Sequence, residues 1–139
     1  MITLAGELHL SAGIADLARV YPWLDQIAAG IPPDLLARMH VVLEEAVANA
    51  ALHGFPDGSQ GRITIRARHL PTETVLEIED DGIAFDPTTA SPRARARSLD
   101  EVEPGGWGLG LIRAYCQTVT YRRQSGRNHL TLHFARPPA

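Results

Sequence analysis

Lysine is absent from this 139-residue chain, and all 13 of its basic residues are arginine. That absence excludes a P-loop lysine beneath a nucleotide phosphate and any Schiff-base chemistry. Cysteine is nearly absent. Cys116 stands alone, so the chain can close no internal disulfide and build no cysteine-based zinc site, and the usage fits a reducing cytoplasm. No apolar run approaches the roughly 20 residues needed to span a bilayer. Met1 to His9 has neither a basic start nor a long apolar stretch, so no signal peptide is expected. The formal net charge of -3 gives no general reason to expect nucleic-acid binding. What remains is ordinary for a globular protein, with 45% hydrophobic and 21% charged residues. The length predicts one domain over residues 1–139, able to bury a sizeable core.

Ile2 to Leu10 alternates loosely and reads as a strand. Ser11 is a plausible N-cap for a helix through Ala15, Leu17, Val20, Leu24 and Ile27, kinked or split at Pro22. Gly30 ends that unit, Pro32-Pro33-Asp34 opens a central helix, and Gly54 suits its C-terminal left-handed position. Residues 55–61 read as a loop. Arg62 to His69 sets Ile63, Ile65 and Ala67 against Arg62, Thr64, Arg66 and Arg68, the pattern of a half-buried strand, and Thr74 to Asp80 pairs with it as an antiparallel hairpin. Asp86 to Gly106 has no period, and so long an irregular stretch is often a functional lid. Leu109 to Gln117 reads as a short helix. Val119 to Gln124 and His129 to Ala135 are strands joined through Ser125-Gly126-Arg127-Asn128. This order predicts an α+β fold, a two-layer sandwich with helices on one face of a mixed, mostly antiparallel sheet.

The central helix carries the densest chemistry. Glu45, Asn49 and His53 recur every fourth residue, so they share one stripe, which borders the apolar face formed by Leu35, Met39, Val42, Leu43, Ala46, Ala50 and Leu52. A buried amide or carboxylate must find a partner. A hydrated divalent cation would serve for Asn49, as would nearby backbone groups. Two further motifs follow in order. Asp80-Asp81-Gly82-Ile83-Ala84-Phe85-Asp86 comes directly after a strand, and Gly105-Gly106-Trp107-Gly108-Leu109-Gly110-Leu111 opens the short helix. An Asp at a strand end can accept a hydrogen bond from an amino group of a purine, and the following Gly allows close backbone approach. Glycines before a helix expose N–H groups to phosphate. Singly, the second motif reads equally as a turn and the third as a flexible joint.

Together, in this order and on these elements, they resemble the GHKL (Bergerat-fold) ATP-binding superfamily of gyrase, the heat-shock chaperone, histidine kinases and the mismatch-repair ATPase. Within it the chain is most similar to the small stand-alone anti-sigma factor serine kinases. Glu44 to Phe55 resembles their N box, Asp80 to Phe85 the first glycine box, and Gly106 to Leu111 the second. The resemblance implies an α/β sandwich with ATP and Mg²⁺ between the helices and a mobile lid. It implies Asn49 as the Mg²⁺ ligand, Glu45 as the base that activates an acceptor serine, Asp80 as the adenine-binding carboxylate and Gly82 as its companion. It implies Gly106, Gly108 and Gly110, with Leu109 between them, as the phosphate-facing segment, and places His53 near the phosphates. Ala84 stands where the first glycine box usually has a second glycine, which narrows the adenine side and restricts φ. Arg93, Arg95 and Arg97 are either phosphate contacts or a solvated run, and Trp107 either a lid anchor or a partner contact.

The function implied is an ATP-dependent protein serine kinase that is also an anti-sigma factor. Its partners would be a sigma factor and an anti-anti-sigma protein of the STAS type, with no direct nucleic-acid or membrane contact. The alternative, which Ala84 motivates, is a non-catalytic, nucleotide-responsive module that sequesters a sigma factor or other regulator. A detached histidine-kinase catalytic domain fits less well, because no helical hairpin with a phosphoacceptor His precedes the central helix. A homodimer is implied by the resemblance, through the edge strand Ile2 to Leu10.

Overall fold

The computed structural model describes residues 3–56, 61–89 and 108–136. In chain order these form β1 (Thr3–Ser11), α1 (Ile14–Leu17), α2 (Val20–Gln26), α3 (Pro33–Gly54), β2 (Arg62–His69), β3 (Glu73–Asp80), α4 (Gly108–Tyr115), β4 (Thr118–Gln124) and β5 (Arg127–Ala135). The strands make one sheet in the order β1-β2-β3-β5-β4. The sheet, expected to be mixed and mostly antiparallel, is antiparallel at every one of these pairings.

Strand alternation decides the layers. Leu8 and Leu10 of β1, Ile63, Ile65 and Ala67 of β2, Leu76 and Ile78 of β3, and Leu130, Leu132 and Phe134 of β5 are buried on one face. They pack against Leu35, Met39, Val42, Leu43, Ala46 and Val47 of α3 and Val20, Trp23 and Leu24 of α2. Leu52, expected on the same face of α3, is 43% exposed instead. Burying this apolar surface is the main stabilising term of the fold. The opposite face is polar. Arg66 Nε donates to Glu7 Oε2 at 3.1 Å, and Arg127 Nη1 donates to Glu79 Oε2 at 2.6 Å. That face needs no second layer of helices, so the helices gather on one side.

Three local expectations change. The first helical unit is two short helices, but the break at Ala18–Arg19 precedes Pro22. Pro22 falls in the first turn of α2, where its missing N–H has no intrahelical acceptor to satisfy. Ser11 is not the N-cap. It ends β1 and gives both its N–H (2.8 Å) and its hydroxyl (2.9 Å) to Asp16 Oδ2, while Gly13 takes the cap position. Gly54 does not adopt a left-handed conformation: α3 runs through it and Phe55 follows with φ -133°. What Gly54 supplies is the absence of a side chain. A Cβ there would lie 3.3 Å from Asp80 Oδ1 and 3.7 Å from Gly82 Cα.

The last connection is shorter than the sequence suggests. Ser125 (φ 55°) and Gly126 (φ 74°) alone make the turn, a two-residue hairpin loop whose positive φ angles match the twist of its strands. Arg127 and Asn128 therefore belong to β5, and Asn128 pairs in register with Asp80 of β3.

Candidate nucleotide site

The end of β3, the C-terminal half of α3 and the start of β5 border one cleft. Ala46, Asn49, Ala50 and Gly54 of α3 line one wall, and Ile78, Asp80, Asn128 and Leu130 of the sheet line the other. Phe85, Pro87, Ile112 of α4 and Tyr121 of β4 complete it. Asn49 and Asp80, from motifs 31 residues apart in sequence, thus meet in one cavity. Ile112 brings the helix of the third motif to the same cavity.

Asn49 is 4% exposed, and its Oδ1 is buried with no hydrogen-bond partner among the described residues. An orphaned buried carbonyl oxygen costs stability, so such atoms call for an explanation. A neutral amide oxygen is a suitable ligand for Mg²⁺, which prefers oxygen donors and keeps several waters. Among the described residues no three His, Cys, Asp or Glu side chains converge as a metal cage.

Asp80 is 5% exposed. Its Oδ1 accepts from the N–H of Gly82 and from Asn128 Nδ2, each at 2.9 Å. Burial pushes its carboxyl above the usual carboxylate range, against the pull of the Asn128 and Gly82 hydrogen bonds and the nearby Arg123 charge. Gly82 is pressed against the helix end. Ile83 N–H donates to Gly54 O at 2.9 Å, and a Cβ on Gly82 would stand 2.5 Å from that oxygen. The two glycines let α3 and the loop after β3 touch backbone to backbone, which fixes Asn49 relative to Asp80.

The other predicted site residues lie around this centre. Glu45 is half-buried on α3, one turn before Asn49, and is not part of the cleft wall. His53 is half-buried and stacks on Phe85, with ring centroids 4.4 Å apart and an 18° interplanar angle. It braces a ring of the cleft rather than lining the cleft. Ala84 is exposed, lies outside the cleft wall, and has no positive φ, so its methyl group fits this backbone without strain. Gly108, Leu109 and Gly110 form the first turn of α4. Gly106, Trp107, Arg93, Arg95, Arg97 and lid residues 90–106 lie outside the described residues.

Three residues escaped the sequence reading. Asn128 holds Asp80, Arg123 Nη1 donates to Gly82 O at 2.8 Å, and the Tyr121 hydroxyl donates to Asn128 Oδ1. For Asn128 the only available signal was the run of polar residues after Gly126, which also describes a turn.

The histidine kinase-like ATPase domain family matches residues 10–134. This chain belongs to the histidine kinase-like ATPase domain family. Among its relatives is the serine/threonine-protein kinase BtrW of Bordetella bronchiseptica, 37% identical over 127 residues, or 90% of this chain and 89% of that protein. The serine-protein kinase RsbW of Bacillus subtilis is 24% identical over 70% of this chain and 63% of its own length. An anti-sigma F factor of Shouchella clausii is 28% identical over 60% of this chain and 58% of its own. Relatives in this family thus carry both names, serine kinase and anti-sigma factor. A crystal structure of the RsbU and RsbW domains of Rv1364c from Mycobacterium tuberculosis shares the fold, with a TM-score of 0.62 at 22% identity. That alignment covers 96% of this chain and about a third, 34%, of the longer one.

Proposed function

We propose that this ATPase-family domain is an ATP-dependent protein serine kinase that acts as an anti-sigma factor and phosphorylates an anti-anti-sigma antagonist of the STAS type. The observation that carries the reading is the shared cleft, lined both by Asp80 and by Asn49, whose buried Oδ1 has no hydrogen-bond partner among the described residues. Asn49 would hold Mg²⁺ and Asp80 the adenine amino group. Gly108 and Gly110, at the N-terminal turn of α4, would offer backbone N–H groups to phosphate. Bound Mg²⁺-ATP supplies the phosphoryl group. Glu45, one turn from Asn49 and outside the cleft wall, accepts the proton of the serine hydroxyl as that oxygen bonds to phosphorus and ADP departs.

In this reading residues 1–139 act as one nucleotide-binding unit, residues 86–106 serve as its lid, and His53 supports the phosphate side through Phe85. No helix of the described residues is long and apolar enough to cross a membrane, and we place the protein in the cytoplasm. Edge strand β1 is the proposed homodimer contact. Ala84, the motive for a non-catalytic module, is exposed and unstrained, so it gives no reason to doubt nucleotide binding.

The test mixes the protein with [γ-³²P]ATP, Mg²⁺ and a candidate antagonist. Transfer of label to a serine of the antagonist is expected. ATP binding without transfer would refute the kinase reading, and no ATP binding by calorimetry would refute it in favour of the non-catalytic module.

A further inference from the structure

We propose that Asn128 is a positioning residue that sets the nucleobase preference of the cleft, by holding Asp80 so that only its Oδ2 is offered to the base. The inference rests on the adenine-nucleotide reading and adds a residue that the three sequence motifs do not contain.

Asn128 is 5% exposed and its carboxamide is fully committed. Nδ2 donates to Asp80 Oδ1 at 2.9 Å and to Ile83 O at 2.8 Å. Oδ1 accepts from Phe85 N–H at 3.3 Å and from the Tyr121 hydroxyl. Two donors and two acceptor positions are all that a carboxamide has. The opposite amide orientation would set oxygen against a carboxylate and a carbonyl, so the network admits one orientation. With nothing left for a ligand, Asn128 acts only through its neighbours.

The chief neighbour is Asp80. Its Oδ1 already receives the Gly82 N–H and Asn128 Nδ2, whereas Oδ2 makes no hydrogen bond among the described residues. An oxygen held in this way accepts and does not donate. It suits the exocyclic amino group of adenine and opposes the carbonyl that hypoxanthine carries at the same ring position. In a buried site, acceptor against acceptor is costly, which is how a built hydrogen-bonding pocket rejects a close analogue. Asn128 also ties Ile83 O and Phe85 N–H to β5, so the loop that follows Asp80 cannot turn the carboxylate independently.

Calorimetry of the full chain with Mg²⁺ and either ATP or ITP tests this, because the two ligands share a triphosphate and differ only at the base edge. The unsubstituted protein is expected to favour ATP by about 100-fold or more. Asn128→Ala should weaken ATP by about tenfold while ITP changes much less, so the ratio collapses toward about ten. Tyr121→Phe, which frees one bond of the same carboxamide, should shift the ratio in the same direction by less. A purely structural defect weakens both nucleotides alike. A folded Asn128→Ala protein with the parental ATP/ITP ratio would therefore overturn the proposal. If that variant fails to fold, an unchanged ratio in Tyr121→Phe overturns it instead. Failure of the unsubstituted protein to bind either nucleotide refutes the nucleotide reading and this inference with it. Parental binding with unmoved ratios refutes the role of Asn128 alone.

Discussion

The contact between Gly82 and Gly54 joins the fold to the site, and Gly82→Ala measures it. An added Cβ would stand 2.5 Å from Gly54 O and 2.7 Å from both Gly54 C and Gly54 Cα. All three are backbone atoms near the end of α3, so no flexible side chain can move aside. Overpacking of this kind costs about 1–3 kcal/mol. Separating the two segments also lengthens the 2.9 Å bond from Ile83 N–H to Gly54 O, a further loss of about 1 kcal/mol. A combined cost of about 3 kcal/mol lowers the melting temperature of a domain this size by roughly 10 °C. Nucleotide affinity should fall with it, because the Gly82 N–H is one of two donors that hold Asp80 Oδ1. Gly126→Ala is the control. Nothing lies within 4 Å of its added Cβ, and only the φ of +74° opposes the change, so the cost is about 1 kcal/mol of backbone strain with ATP binding intact. Thermal melts followed by circular dichroism, with ATP titrations, read both effects. If Gly82→Ala melts no lower than Gly126→Ala and binds ATP as the parent does, the backbone-to-backbone packing argument is wrong.

Further predictions concern single groups. Glu45→Gln should retain ATP binding by calorimetry yet lose about 100-fold or more in phosphoryl transfer, since a general base contributes on that order. Asn49→Ala removes a buried oxygen that has no partner among the described residues; it should leave the melting temperature at or above the parent's while abolishing the Mg²⁺ dependence of ATP binding. Asp80 has a carboxyl pKa above its ordinary value because of burial. Its native form therefore binds a proton more tightly than the unfolded chain does, and its contribution to stability falls as pH rises through that window. Asp80→Asn, which keeps an oxygen for Gly82 and Asn128, should raise the melting temperature at neutral pH, with the gain shrinking as pH drops below the raised value, and should abolish ATP binding. A gain that grows on acidification would contradict the assignment. Cys116 is buried and its thiol is pushed up to about 11. A thiol reagent at pH 8 should leave it unmodified in the native protein and label it once denaturant is added.

Periodicity made the scaffold legible in the chain. Ile63, Ile65 and Ala67 alternate with polar residues, and the structure buries them on the helix-facing side of β2. The four-residue spacing of Glu45, Asn49 and His53 placed them on one stripe beside the core, where Asn49 is now buried. Asp80 and Gly82 were legible because a carboxylate and a glycine at a strand end form a short local pattern. These are near-neighbour signals, and local geometry carries them whatever the rest of the fold does.

What only the tertiary structure decided depends on residues distant in sequence. Gly54 read as a helix stop because glycine after a helix favours a left-handed turn. The approach of Gly82 used the missing side chain instead, and the helix ran through it. Asn128 read as part of a turn because serine, glycine and asparagine, here Ser125, Gly126 and Asn128, all favour turns, yet the register of β5 on β3 set it opposite Asp80, 48 residues away. Local propensity fixes backbone shape within a few residues, whereas hydrogen-bond partners across a sheet are chosen by which strands pair and in what register. The chain by itself determined which groups could do chemistry. Sheet pairing decided which groups hold them in place, because a carboxamide in a turn and one locked between two strands have the same sequence and different partners.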